Sequence, residues 1–474
     1  MIFHTLQYWL FFIISIIIYY KLNSKYRPHF LVLISGLFLF YFSLAHFIYA
    51  FLYGIINYFL GKGLNNLVGS KRRRLYIFGL IINIGQLVIL KYTTFLLENF
   101  NLISDMWNGK DIILADIIIP IGISYYTFQS IGYIINIYKK VELPEESIVN
   151  YLVFTLFYPK ILAGPIERSN TFLPQLRSIS DFKMNNLKEG LLLVFWGLLK
   201  KIVIADRLVD LVFPVYNDLD AYSTNAVWIV LFLQTVHLYF DFSGYTDIAI
   251  GTARVFGLKL SPNFNRPFLS QNISVFWRRW HMSLSYWCND YIFKSVMYKR
   301  RRWGRFASSY AVLLTFLVLG IWHGPNWTYV VLGLLQVFAI NFEFYFRRQR
   351  IKILSKMPRS LELNLGRIIT FTFISITLVF FNSSSIQVAK SFFIKLFSKS
   401  DGLQLELFTI ERILPILILV VLLVFESISE KYGDLKDKLD SKPMIIRWIW
   451  YYILIILVVL FGVFGATNFV YFQF

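Results

Sequence analysis

The chain has 474 residues and a formal net charge of +20, with 57% hydrophobic, 19% aromatic and only 16% charged side chains. A soluble domain carries about a quarter charged residues, and here the apolar residues fall in long uncharged blocks. That pattern excludes a soluble globular protein and leaves no soluble domain with which to bind nucleic acid. The single cysteine, Cys288, excludes an intramolecular disulfide, and no Cys/His grouping resembles a zinc site.

Blocks free of Asp, Glu, Lys and Arg cover 1–20, 28–61, 75–90, 117–138, 221–240, 306–342, 368–389 and 448–474. About 20 such residues suffice to cross roughly 30 Å of hydrocarbon as a helix. The chain therefore reads as all-α and polytopic, with about eleven transmembrane helices and some re-entrant or interfacial ones. One membrane domain over 1–474 is expected, with N-terminal spans in 1–117 and a core in 118–474.

The first block, "MIFHTLQYWLFFIISIIIYY", has no basic leader and no small-residue cleavage site, so it is expected to be a retained membrane segment. Block 28–61 would be roughly 51 Å long as one helix, so a tight pair of short helices is predicted. That split places "KLNSKYR" (21–27) and "KRRR" (71–74) on one face, the cytoplasmic one, and leaves the N-terminus and a loop at 98–111 outside. Together with "KRRRWGR" (299–305) and "RRQRIK" (347–352), these clusters predict anionic membrane lipids as neighbours. Between 141 and 220 charge and proline mix with apolar residues. Helix-like "KEGLLLVFWGLLKKIVIADRLVDLVF" (188–213) is interrupted by Lys200, Lys201, Asp206 and Arg207, so short, tilted or interfacial helices are expected here.

Three later stretches carry the candidate chemistry. "VHLYFDFSGYTDIAIG" (236–251) holds Asp241 and Asp247 six apart, which does not put them on one helix face as a paired-carboxylate catalyst. They are expected to cap or orient backbone at a helix break around Gly244, and a His237–Asp241 pair is expected to be structural. His4, His29 and His46 lack polar company and receive no role. "SVFWRRWHMSLSYWCNDYIF" (274–293), read as one helix, aligns Trp277, His281, Leu284, Cys288 and Tyr291 in a stripe while Arg278 and Arg279 project elsewhere. His281 then faces the packed side and the arginines face a headgroup or phosphate. An interfacial aromatic belt with a structural histidine fits the same spacing equally well.

The third stretch is "GIWHGPNW" (320–327), inside the uncharged run 306–342. That run would be roughly 55 Å long as a single helix, so it must break, and Gly324-Pro325 is where it can. His323 is then the last residue before an irregular turn at membrane depth, where backbone survives only if buried in protein or lining a wet cavity. An ionisable group there is a functional candidate; a neutral histidine satisfied by a carbonyl is the alternative. The G-x-S-x-G, G-x-x-x-x-G-K-[ST] and H-E-x-x-H motifs are all missing from the sequence. Two histidines suit proton transfer from a hydroxyl near neutral pH, and acyl transfer from a thioester needs little beyond a base, alignment and exclusion of water.

In order along the chain, "IIPIGISYYTFQSIGYIINIY" (118–138), "YPKILAGPIERSNTFLPQL" (158–176), "GLLKKIVIADRL" (197–208), "YFDFSGYTDIAIG" (239–251), "NFNRPFLSQNISVFWRRWHMSLSYW" (263–287), "LGIWHGPNWTYVVLGLLQ" (319–336) and "NFVYFQF" (468–474) resemble the membrane-bound O-acyltransferase family. The likeness is to the branch containing bacterial alginate and peptidoglycan O-acetyltransferases. It implies that His323 is the family's essential histidine, acting as general base or proton shuttle, and that His281 is its second active-site histidine, orienting the donor carbonyl or the acceptor. It further implies a multi-pass protein of the bacterial cytoplasmic membrane, acetyl-CoA as acyl donor without a metal, and an exported or cell-surface polysaccharide as acceptor. An extracytoplasmic acetyltransferase partner is implied too, and Arg278 and Arg279 would meet donor phosphates if cytoplasmic. One departure is "YIFKSVMYKRRRWG" (291–304), where many alginate-type members have a glycine-rich turn. This segment resembles the branch that transfers D-alanine to teichoic acids from a carrier-protein thioester, which stands as an alternative. A transporter or flippase with a proton-relay histidine is the alternative from another class.

Overall fold

The computed structural model describes residues 3, 5–105, 117–399, 410–432 and 441–464, and among them every regular element is helical. Two compact units are formed, one from Met1–Leu191 with Ala249–Ser261, the other from Leu192–Ile248 with Pro262–Phe474. Seven described helices are long and apolar enough to cross a membrane, in line with an all-α, multi-pass protein. His4 and the terminal 468–474 segment lie outside the described residues.

The first unit begins with α1 (Leu6–Lys21), α2 (Arg27–Phe42) and α3 (Leu44–Asn66). Block 28–61 is thus the expected helix pair. Extended Ser43 (φ −172°) separates the two, and its hydroxyl caps α3 by accepting from the Ala45 amide at 3.1 Å. α4 (Gly69–Leu87) passes through a π turn into α5 (Thr93–Asp105). Glu98 and Asp105 therefore lie on a helix and not in the loop expected over 98–111; apolar residues up to Ile103 sustain the helical pattern, and 106–111 fall outside the described residues. Then come α6 (Ile123–Tyr138), α7 (Ile148–Leu156), α8 (Tyr158–Ile161), α9 (Ser169–Arg177) and α10 (Met184–Leu198), whose last residues belong to the second unit. The shortness of α7 to α9 follows from Pro159, Pro165 and the capping polar residues between them.

In the second unit a π turn over Leu199–Ala205 joins α10 to α11 (Asp206–Asn217), and α12 (Thr224–Val255) follows, its residues from Ala249 on belonging to the first unit. α12 runs unbroken through Gly244, contrary to the expected break there. The glycine serves close packing instead: a Cβ on Gly244 would stand 2.7 Å from the Gly197 carbonyl oxygen, and one on Gly197 2.6 Å from that of Gly244. With the backbones in contact, Lys200 reaches Asp247 (2.8 Å), and Lys201, buried, bridges Asp206 (2.7 Å) and Asp241. Asp241 and Asp247 thus neutralise two adjacent lysines of the π turn rather than capping backbone. His237 packs edge-on against Phe213 at 5.4 Å.

The chain continues through α13 (Ile273–Arg279), α14 (Met282–Cys288), α15 (Lys294–Lys299), α16 (Arg305–His323), α17 (Trp327–Tyr345), α18 (Arg347–Leu354), α19 (Arg359–Asn382) and α20 (Ile386–Leu396). α21 (Ile410–Tyr432) and α22 (Met444–Phe461) complete it. Val212, Val227, Leu231, Val379 and Phe392 form a core shared by α11, α12, α19 and α20. α16 and α17 make an antiparallel hairpin in which small residues admit backbone approach, as in other membrane helix pairs. A Cβ on Gly333 would lie 2.5 Å from the Phe316 carbonyl oxygen, and one on Gly320 would clash with the Tyr329 carbonyl.

That packing is testable. Gly333→Ala forces backbone against backbone and is expected to cost about 1–3 kcal/mol, read as a lowered thermal midpoint of the purified protein. An unchanged midpoint would mean that the hairpin is not packed this closely.

Candidate active site

The uncharged run 306–342 breaks where steric rules require. α16 ends at His323, Gly324 is extended (φ 176°), and Asn326 caps α17 by accepting from the Thr328 amide at 2.9 Å. The Asn326 side chain also donates to the Ser384 carbonyl at 2.7 Å, and its amide donates to the Gly324 carbonyl at 3.0 Å. The turn is therefore tied down by hydrogen bonds that water would otherwise supply. A Cβ at Gly324 would collide with the Tyr329 ring at 2.6 Å, so glycine is required there for space. His323 is buried, its ring 5.3 Å from Phe381, edge to face, and 6.1 Å from Tyr329.

His281 sits at a second break. The stretch 274–293 is not the single helix its spacing suggests: α13 stops at Arg279, and α14 starts at Met282. His281 itself is left-handed (φ 42°, ψ 53°), an uncommon conformation for any residue with a Cβ. The cause is tertiary. Residues 263–265 pair with 279–283: the Asn265 amide donates to the Arg279 carbonyl (2.9 Å), and the Met282 amide donates to the Asn263 carbonyl (2.8 Å). The Asn263 side-chain oxygen accepts from the Ser283 amide at 3.2 Å. The expected stripe is consequently split, with Trp277 on one side of the break and Leu284 and Cys288 on the other.

Both breaks bring their histidines to one place. His281 is 1% and His323 7% exposed. The Trp322 indole lies 5.8 Å from the His281 ring and 5.0 Å from that of His323, while Phe242 of α12 closes on His281 at 4.8 Å. The two imidazoles are within electrostatic reach. Burial pushes His281 well below its ordinary range, and the neighbouring His323 adds to the shift. α17 holds both segments. Its Glu343 accepts from the Ile273 and Ser274 amides (2.6 and 3.1 Å) at the start of α13, where a carboxylate complements the helix dipole. Its Gln336 accepts from the Trp277 indole at 3.2 Å and donates to Thr377 of α19 at 3.0 Å.

The two arginines part company. Arg279 donates to Glu430 (2.7 Å), which Arg266 also meets (3.2 Å), so its charge is engaged by a carboxylate of the protein. Arg278 is exposed. Among the described residues no cluster of His, Cys, Asp and Glu is arranged to hold a metal ion. Sequence reasoning missed Asn263, Phe242, Trp322, Gln336 and Glu343. Their roles come from pairings across long sequence separations, and only the asparagine-rich "NFNRP" (263–267) hinted at a turn.

A substitution series at 281 tests the strained backbone. Asparagine tolerates the left-handed region, whereas valine does not, so His281→Val should fall below His281→Asn by about 1–2 kcal/mol in stability. Equal thermal midpoints for the two purified variants would contradict a left-handed residue at this position.

A comparison with known families matches residues 139–386 to the MBOAT, membrane-bound O-acyltransferase family, and this span contains both histidines. The chain is 31% identical over 386 residues to the protein named probable alginate O-acetylase AlgI in Pseudomonas aeruginosa, covering 80% of this chain and 72% of that one. It is 32% identical over 362 residues to a peptidoglycan O-acetyltransferase of Helicobacter pylori, covering 71% and 67%. A teichoic acid D-alanyltransferase of Streptococcus thermophilus shares 32% over 229 residues, 45% of this chain and 54% of that protein. The chain is a multi-pass membrane acyltransferase and belongs to the membrane-bound O-acyltransferase family.

Proposed function

We propose that this enzyme moves an acetyl group from a cytoplasmic thioester donor, acetyl-CoA, to hydroxyls of an exported or cell-surface polysaccharide in the bacterial cytoplasmic membrane. Transfer is direct or passes through an extracytoplasmic acetyltransferase partner. The observation that carries the reading is the convergence of two buried histidines from two separate helix breaks. The relatives named for alginate and peptidoglycan O-acetylation support acetyl as the group and a polysaccharide as the acceptor.

In this reading His323 is the general base. Its imidazole takes the proton of the acceptor hydroxyl as that oxygen bonds to the acetyl carbon. The carbon–sulfur bond breaks, and the departing thiolate recovers the proton from the imidazolium. His281, whose proton affinity burial lowers, orients the donor carbonyl or the acceptor. The aromatic surround of Trp322, Phe242 and Phe381 keeps water from hydrolysing the thioester. Arg278 is the more available of the two arginines for donor phosphates, since Arg279 already serves Glu430.

D-alanyl transfer to teichoic acid is the second reading, supported by the D-alanyltransferase relative. Both use the same ester-forming step, and the donor separates them. Membership of an acyltransferase family weighs against the transporter reading.

The experiment is the acetyl content of surface and exported polysaccharide in cells carrying wild type, His323→Ala or His281→Ala at matched membrane levels. Loss of a general base is expected to lower acetylation rate by about a hundredfold or more, with polymer amount unchanged. Normal acetylation in the His323 variant would refute the proposed base. Loss of D-alanyl esters in place of acetyl esters would favour the second reading.

A further inference from the structure

Within the second unit a cavity of about 720 Å³ is lined by α10, α12, α21 and α22 together with Lys200 of the π turn and the 264–266 segment. Most of its wall is apolar. Trp196 packs on Phe425 (5.7 Å), and Phe425 stacks on Trp450 (6.0 Å, 9° between planes). Set among these rings is Glu426, one of whose carboxylate oxygens accepts from Tyr239 at 2.7 Å. The other oxygen is buried and accepts no hydrogen bond, and the Ser429 hydroxyl, one helical turn further, is likewise buried and unpartnered. Buried carboxylate oxygens are rarely left so. Lys200 and Arg266 line the same cavity and act on Glu426 through space, but neither donates to this oxygen, so a carboxylate with one unused acceptor beside aromatic faces fits an ammonium donor.

The cavity's position narrows the occupant. α21 and α22 expose Val420, Val421, Ile449 and Ile453 on their outer sides, the faces that meet lipid chains. Lys442 lines the same cavity and lies just before the candidate span Met444–Phe461, the place along a membrane helix where basic residues meet headgroups. A cation at the start of a candidate span, a buried acid with aromatic rings and an apolar wall behind lipid-facing helices together describe one amphiphile. We propose that this cavity binds a phospholipid with a primary-ammonium headgroup, of the ethanolamine type. Its ammonium donates to the second Glu426 oxygen and lies against Trp450 and Phe425, its phosphate meets Lys442, and a chain runs along α22. This assignment is independent of the transfer chemistry and of both histidines.

The full-length protein, purified and reconstituted in equimolar phosphatidylethanolamine, phosphatidylcholine and phosphatidylglycerol, is analysed for retained lipid by native mass spectrometry. Wild type is expected to retain the ethanolamine lipid about tenfold over the choline lipid, which cannot donate a hydrogen bond to Glu426. Glu426→Gln should abolish that preference, and Trp450→Leu, a gentler change, should reduce it. If Glu426→Gln does not fold, the Trp450 variant decides. Equal retention of ethanolamine and choline lipids, or preference for the anionic glycerol lipid, would overturn the assignment. So would displacement of retained lipid by 4′-phosphopantetheine, which would give the cavity to a thioester donor. Because retention needs no turnover and should survive His323→Ala, failure here is distinct from failure of the acetyl-transfer reading.

Discussion

The second unit is organised by a hydrogen-bonding constraint. An uncharged run longer than a bilayer is wide has to turn back, and the turn leaves peptide groups outside the helical ladder that need partners. The hairpin of α16 and α17 meets this with the fewest groups: glycine and proline in the turn, and asparagine supplying a cap, a bond across to Ser384 and an amide for the Gly324 carbonyl. The glycine contacts further down, Gly320 and Gly333, then lock the two helices in register. His323 is held in place because the turn that follows it is bonded internally and across to Ser384.

α17 acts next as a ruler. Gln336 and Glu343 are seven residues apart, hence on one face, and both face α13. The helix that returns from the His323 turn therefore also fixes the start of the segment that delivers His281. The left-handed backbone at His281 is held from the other side by Asn263. A strained residue persists only where its surroundings over-determine it, and here Arg279, Met282 and Ser283 around His281 are bonded back to Asn265 and Asn263. The segments that carry the two imidazoles are thus held by hydrogen bonds from α17 on one side and from the 263–265 segment on the other.

Local physics made part of this legible. The split of 28–61 and the break after His323 follow from bilayer thickness and proline sterics, which need only the immediate sequence, and both are found. What failed was non-local. Nothing in 274–293 announces a break, because the force ending α13 comes from 263–265. Gly244 reads as a helix breaker, yet its missing side chain serves contact with Gly197. The aspartates at 241 and 247 look poorly placed as a pair, since their partners are two lysines some 40 residues earlier. Arg279 resembles an available phosphate ligand until Glu430, far along the chain, is found against it.

Those lysine pairs bear on the site through the helix they share. Asp241, Phe242 and Asp247 are all carried by α12, with the carboxylates turned to the π turn and the phenyl ring to His281. Lys201 between two buried carboxylates leaves little tolerance: removing one partner of such a buried set costs about 3–5 kcal/mol because a charge is left unpaired. A π turn, with its wider spacing, lets two consecutive lysines both reach α12, something a regular helix would not do for neighbours about 100° apart. The rotation of α12 is thereby fixed electrostatically on one face, and the aromatic wall of the histidine pocket on its other face inherits that setting.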